Sequence, residues 1–466
     1  MRFRPGRYFA LLAALAAPAV LHAQGFGLNE IGSCAVSRAS STTGAPCEDA
    51  SALFWNPAYG TRLKGVSIYG GLAAVQVAGD FSQDSTGRSY RANVPTEFPP
   101  HLFVNWKSAT RRYSVGAGLY VPYGLTSKWF DNFPGRFSSL HASLKSIYFQ
   151  PNVSFDVTPE WAIGGGPVIG YSLVTLQQSI DLSQQAISPT ATFASLGIAP
   201  GTEFARATLK GSGKGYGFHV GVHGKLGTSL TIGARYLSSM KFKYNDATAR
   251  FVQYATNLVV PDATTAAALG AGVVAGTPYD YILATQFRSG GALVQQKVST
   301  RITHPGQAQV GIGYTTPMGT LVSLDYAYIF WNKFKELPVT FQGPAAASSR
   351  TLIEDYKNSS AVRASVEQKF GMAALRAGFS WVKTPAPDET VTPLLPDQDR
   401  RNYTIGFGVP IGDRFTFDGS YLKVDTQGRR GRIVERPNRT FDAASLNSGF
   451  YRLDANIYSI SLKAWY

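Results

Sequence analysis

Cysteine, histidine and charge are all scarce in this chain of 466 residues, which has two Cys, six His and only 16% charged side chains. A structural zinc site needs about four ligands, and Cys34 and Cys47 have no His or further Cys near them. His219 and His223 are four apart on an alternating stretch, which on a strand separates them by about 13 Å. They therefore serve as polar lining rather than as joint metal ligands. No stretch beyond the N-terminus approaches the ~18 uninterrupted apolar residues of a spanning helix, which excludes a helical membrane bundle. Gly164-Gly165-Gly166 and Gly211-Ser212-Gly213-Lys214-Gly215 lack phosphate-loop and dinucleotide spacing. Glycines in strands mark bends or close approaches instead. No signature groups a Ser, His and carboxylate, so the chain reads as a non-enzyme with no cofactor. The net charge of +15 is not interleaved with aromatics in a groove pattern, which argues against nucleic acid. Basic loops at an anionic surface explain it more simply.

The C-terminus shows what is present. Tyr458, Ile460, Leu462, Ala464 and Tyr466 alternate with Ser459, Ser461, Lys463 and Trp465. A period of two gives one apolar and one largely polar face. Such a strand ending on an aromatic suits the closing strand of an outer-membrane barrel, with its aromatic girdle at the lipid interface. A low charge content fits too, because a soluble chain carries about a quarter. A soluble all-β protein remains open on composition alone.

At the other end, Arg2, Arg4 and Arg7 precede an apolar stretch from Phe9 to Leu21, with Ala23 before a cleavage site. Residues 1–23 therefore read as a signal peptide. The mature chain then starts at Gln24, with 466 − 23 = 443 residues and a charge of +15 − 3 = +12. Residues 24–63 do not alternate but carry Phe26, Leu28, Ile31, Leu53, Phe54 and Trp55. That apolar content predicts burial, as a plug inside the lumen. Cys34 and Cys47 both lie in this segment, and in the oxidising periplasm they are expected to pair.

Residues 64–466 read as the barrel, with the first strand at 64–79. Outward sets such as Val310, Ile312 and Tyr314, or Leu375, Ala377, Phe379 and Trp381, oppose polar or small sets. Six short turns (107–111, 158–160, 226–228, 316–319, 370–373 and 411–413) alternate with seven long connections (79–100, 122–144, 178–212, 244–300, 342–357, 384–400 and 426–451). Thirteen connections join about fourteen antiparallel strands, leaving both ends in the periplasm. Closure is required because an unpaired strand edge is not tolerated in lipid.

Several segments resemble the FadL family of outer-membrane channels for long-chain fatty acids and aromatic hydrocarbons. Gln24–Glu30 resembles the start of their mature chains, and Asp49–Ala58, with Asn56-Pro57-Ala58, their hatch. Gly118–Leu125 followed by Trp129, Ile232–Tyr236, and Phe330-Trp331 with Phe334 are similar to later passages. The most specific match is Lys383–Glu389, then Thr392-Pro393, then Leu395–Arg400. The resemblance implies a fourteen-stranded barrel with an N-terminal hatch in its lumen, an extracellular capture groove, and lateral release where a strand is kinked. The Cys34/Cys47 pair departs from the better-known members.

On this reading Phe26, Leu28, Asn56, Pro57 and Ala58 belong to the hatch and substrate pathway. Gly116, Gly118 and Pro122 are candidates for the lateral opening. Arg235, Arg363 and Arg376 are candidates for binding a substrate carboxylate, though salt bridges to Asp156, Asp325, Glu367 or Asp418 are the simpler role for each. The expected partners are a hydrophobic small molecule, outer-membrane lipid and lipopolysaccharide. The chain is expected to be a monomer in the outer membrane of a Gram-negative-type bacterium. The competing reading is a general porin, which the plug length and Asn56-Pro57-Ala58 disfavour. An adhesin or purely structural barrel comes third.

Overall fold

The computed structural model describes residues 25–431 and 449–466. The expected signal peptide and cleavage site lie outside them. Fourteen strands run antiparallel around a closed barrel. They are β1 Val66–Gln83, β2 Pro100–Lys107, β3 Tyr113–Lys128, β4 His141–Asp156, β5 Trp161–Asp181 and β6 Glu203–Leu226. The next four each come in two pieces: β7 (Leu230–Leu237, Met240–Gln253), β8 (Gln296–His304, Gln307–Thr315), β9 (Leu321–Ile329, Glu336–Phe341) and β10 (Arg350–Ile353, Ser359–Phe370). Last come β11 Ala373–Val382, β12 Arg400–Ile411, β13 Phe415–Thr426 and β14 Gly449–Trp465. β14 closes the ring on β1, in register from Ser67↔Trp465 to Gln83↔Gly449. Among the described residues no helix is long and apolar enough to cross a membrane.

Alternation builds this wall. Val310, Ile312 and Tyr314 on β8, and Leu375, Phe379 and Trp381 on β11, are exposed on the outer face. Their neighbours Gln309 and Ser380 are buried inside. The six short turns join strands where expected. Several strands outrun their expected ends: β3 continues through Pro122, β5 reaches Asp181, β6 starts at Glu203 and β7 ends at Gln253. Beyond the apolar band the outer face of β6 and β7 turns polar, with Lys210, Lys214, Lys241 and Lys243 exposed. The hydrophobic alternation stops there although the hydrogen-bond ladder continues. The first strand likewise starts at Val66 rather than residue 64.

The breaks in β7–β10 fall on four neighbouring strands, at 238–239, 305–306, 330–335 and 354–358. The irregular backbone of the last two turns the bulky Trp331, Phe334 and Tyr356 into the interior, where all three are buried. Such backbone is tolerated at depth only where protein covers it. The connection 254–295 carries two short helices, Ala263–Leu269 and Tyr279–Leu283. The Asp262 carboxylate caps the first, accepting from the Thr265 N–H at 2.7 Å. Phe193, Phe204, Val260, Tyr279 and Leu283 form a separate apolar cluster under these long connections.

Candidate transport pathway

The interior is filled from residue 25 onward. Gly25–Leu63 includes helices Ser33–Ser37 and Ala52–Trp55 and a 3-10 turn Pro57–Arg62. Leu53, Trp55, Asn56 and Ala58 have no solvent exposure. A disulfide joins Cys34 to Cys47, with Cα atoms 6.3 Å apart.

Asn56 is the most heavily bonded residue of the Asn-Pro-Ala turn. Its Nδ2 donates to the Thr43 carbonyl at 3.0 Å and to the Val222 carbonyl of β6 at 2.9 Å. Its Oδ1 accepts from the Ala58 N–H at 3.2 Å. Pro57 fixes φ and lacks an N–H. Its carbonyl accepts from Asn152 Nδ2 at 3.1 Å and Ser154 Oγ at 2.6 Å on β4. The wall lets this turn approach because it is glycine there. A Cβ on Gly164 would collide with the Pro57 carbonyl, and one on Gly221 would come within 2.7 Å of Asn56 Oδ1. The triple glycine thus marks a close approach.

The three arginines have different surroundings. Arg376 forms ion pairs at 2.7 Å with both Glu367 and Asp418, which is the salt-bridge role. Arg235 has no ion pair among the described residues. It donates to Gln309 Oε1 at 2.9 Å, Gln307 Oε1 at 3.0 Å and the Phe54 carbonyl at 2.9 Å, and lies over the Phe54 ring at 4.4 Å. It therefore clamps the interior segment to β7 and β8. Arg363 is held more loosely, by the Ser40 carbonyl and Asn29 Oδ1, each at 3.4 Å. His219 lines the lumen as expected, bonded to Gln150 at 3.0 Å.

The wall is interrupted between β2 and β3. Their pairing ends at Leu102↔Leu119, and the β3–β4 register shifts between Tyr120 and Tyr123, around Pro122. On the β2 side, Pro95, Pro99 and Pro100 have no N–H to offer. Gly116 and Gly118 lie below the break, each paired on both sides, to Asn105 and Asn152 and to Phe103 and Gln150. The break therefore begins beyond Leu119, past both glycines, with Pro122 inside it. Residues 26–28 take the place of the missing neighbour: Leu28 N–H donates to the Pro122 carbonyl at 2.9 Å, and Gly124 N–H to the Phe26 carbonyl at 3.0 Å. The Phe26 ring is anchored 4.7 Å from Trp331 and 5.3 Å from Phe334.

A cavity of about 340 Å³ lies at this break. Its lining includes Ile147, exposed on the outer face, and Val424 and Ile457, buried on the lumen face. The lining thus draws on both faces of the wall. Leu28, Val121 and Phe98 complete the apolar surround. Two cations reach the cavity, and both are engaged: Lys145 with Glu97 at 2.7 Å, and Arg400 with Asp397 at 3.0 Å. The proline-rich connection 383–399 roofs the space. Its Pro393 carbonyl accepts from Ser127 Oγ at 2.7 Å and Trp129 Nε1 at 3.3 Å.

The lumen is polar below and apolar above. On β13 Asp418 faces inward low down, and Leu422 and Val424 higher up; on β14 Ser461 and Ser459 give way to Ile457 and Ala455. Sequence reasoning, which assigned polar residues to the lumen throughout, missed this inversion. The outward turn of Lys423 and Asn456 carries its signal.

The family model for "Outer membrane protein transport protein (OMPP1/FadL/TodX)" matches residues 13–460. The chain is 24% identical over 419 residues to a long-chain fatty acid transport protein of Escherichia coli, covering 85% of this chain and 86% of that one. It is 23% identical over 437 residues to a 47 kDa outer membrane protein of Pasteurella multocida, covering 93% and 94%. Among solved structures, a Pseudomonas aeruginosa FadL homologue superposes with a TM-score of 0.76 at 17% identity, covering 95% of this chain and all of that one. The Pseudomonas putida toluene transporter TodX gives 0.65 at 14% identity, covering 95% and 99%. With fourteen antiparallel strands, an apolar outer face and a family match over nearly its whole length, the chain belongs to the OMPP1/FadL/TodX family of outer-membrane transport proteins, which are transporters rather than enzymes.

Proposed function

We propose that this protein is a passive channel for hydrophobic molecules, which enter from the extracellular side and leave sideways into the outer membrane. The observation that carries this reading is the apolar cavity through the wall at Pro122, stopped on its inner side by Gly25–Leu28. A ligand captured among the long connections passes Leu394 and Leu395 into the apolar upper lumen. Residues 25–28, the leading end of the hatch, then release the β3 edge and open the route between β2 and β3. Residues 29–63 stay fixed by Asn56 and Arg235, so no water path to the periplasm opens. A ligand with about 200 Å² of apolar surface gains about 5 kcal/mol on entering, enough to concentrate it without trapping it.

The charge of the lining favours an uncharged ligand, such as a small hydrocarbon, over a fatty acid anion. A carboxylate needs a buried cationic partner, and Lys145 and Arg400 already hold Glu97 and Asp397. A fatty acid would have to displace one of those acids. Arg235 is occupied by the hatch, and Arg376 by two carboxylates.

The test locks the leading end to the wall. Leu28 and Pro122 face each other across hydrogen-bonded backbone, where Cα atoms lie about 5.5 Å apart, within disulfide range. The variant L28C/P122C should form this bond, lose toluene uptake in cells lacking other channels, and regain it with a reductant that leaves wild-type uptake unchanged. Normal uptake by the fully cross-linked barrel would refute the lateral route. Oleate uptake equal to that of toluene would refute the preference for uncharged ligands.

A further inference from the structure

On the side of the barrel formed by β6–β9, the outer apolar band ends in a run of neighbouring aromatic rings. Phe218 lies 5.8 Å from Tyr236, Tyr236 lies 6.2 Å from Phe330, and Phe330 lies 5.2 Å from Tyr328. Tyr and Trp rings of this kind mark the membrane–water boundary of a barrel. Beyond this belt, on the same outer faces, stand Lys210 and Lys214 of β6 and Lys241 and Lys243 of β7, all exposed. Lys214 is two residues past the exposed Tyr216, a rise of about 7 Å.

The pairing of these cations is unfavourable by itself. Lys243 is the register partner of Lys214 on one side and of Arg301 on the other. Like charges directly opposite one another destabilise a sheet. Arg301 is neutralised by Glu336, and Lys297 faces Asp246 at 3.6 Å. Among the described residues, Lys210, Lys214, Lys241 and Lys243 have no carboxylate partner. The fold thus places four unneutralised ammonium groups on two adjacent strands, where the apolar core of the outer leaflet gives way to its head groups.

We propose that this patch binds the phosphate groups of the outer-leaflet glycolipid. Lysine is a point-charge phosphate ligand that needs no bidentate geometry. Lys214 and Lys243 stand side by side, with Lys241 nearer the aromatic belt and Lys210, opposite Thr248, about 13 Å further out than Lys214, a spread that suits a bisphosphorylated disaccharide whose acyl chains run down along Phe218 and Val220. The glycolipid phosphates would neutralise the Lys214–Lys243 repulsion that the chain leaves uncompensated. The site faces away from the β2–β3 break, so its failure would leave the proposed transport route untouched.

The full chain in detergent micelles, probed by native mass spectrometry with bisphosphorylated lipid A, tests this. Wild type should retain the lipid, and K214S/K243S should bind it at least about ten-fold more weakly. Lipid A stripped of both phosphates should bind the two alike. K64S/K225S, altered near the periplasmic rim, should behave as wild type. Without lipid, K214S/K243S should melt no lower than wild type, because a repulsive pair has been removed. Adding bisphosphorylated lipid A should raise the wild-type melting temperature more. Should that variant misfold, K214Q/K241Q gives the same comparison. Equal binding by wild type and a folded lysine variant, wild-type binding that ignores the phosphates, or an equal loss in K64S/K225S would each overturn the proposal.

Discussion

Asn56→Ala isolates the bond set that holds the interior segment to the barrel. The change deletes two donated hydrogen bonds and one accepted, and leaves three backbone groups behind. The Val222 carbonyl sits in the β6 ladder, so its loss costs about 0.5–1.5 kcal/mol. The Thr43 carbonyl and Ala58 N–H are left buried without that partner, at about 1–3 kcal/mol each. The sum is about 2.5–7.5 kcal/mol, against which truncation of a small side chain adds little. Because the fourteen-strand ladder does not pass through Asn56, the cost falls on local opening of the segment rather than on unfolding of the wall. Amide hydrogen exchange of residues 56–63 should therefore quicken by about two to five orders of magnitude, at tenfold per 1.4 kcal/mol. The β11–β13 amides should stay protected, and the barrel should keep its heat-modifiable migration. Protection of 56–63 within tenfold of wild type would show that the turn is held by packing, and that the bond set is incidental.

Removing both cysteines (C34S/C47S) opens a link across a sequence separation of 13. It should lower the stability of the segment by about 3 kcal/mol, read by exchange at 33–47; two free thiols in non-reduced native peptides would deny the bond itself. Arg376→Ala strands Glu367 and Asp418 in the wall. It should destabilise the barrel by about 3–5 kcal/mol in a denaturant titration, with Arg376→Lys recovering part; an unchanged midpoint would contradict the ion-pair account.

The wall was legible in the sequence because lipid imposes the simplest code. Outward residues such as Ile312, Leu324 and Phe407 must be apolar, and short turns such as 411–413 stand out between long alternating runs. The interior was less legible, since two different neighbours share it. Ser459 and Ser461 face the interior segment, whereas Ile457 and Ala455, on the same face of the same strand, face the cavity. A period of two says which side a residue takes, not what awaits it there. Pro122, a candidate for the lateral opening from its sequence, has no N–H to extend a ladder. Gly116 and Gly118, the other two candidates, pair normally on both sides, because glycine permits a break but does not enforce one. The prolines at 95, 99 and 100 are the stronger signal, each removing a donor from the strand that would have closed the gap. The clamp role of Arg235 was invisible because its acceptors are two glutamines and a carbonyl, and no charge pattern points to them.

The seam between β1 and β14 has a consequence for how the molecule is made. Ser67 pairs with Trp465, a separation of 465 − 67 = 398 residues. Contacts so distant in sequence form late, because their loop-closure entropy must be met before they contribute. Residues 25–63 are tethered directly before β1, and Ser33 Oγ bonds Ser459 Oγ and Ser461 Oγ of the closing strand at 2.7 Å each. Pairing of β14 with β1 therefore brings into place the same strand that completes the hydrogen bonds of the interior segment. The seam and the interior segment thus depend on one late-forming strand.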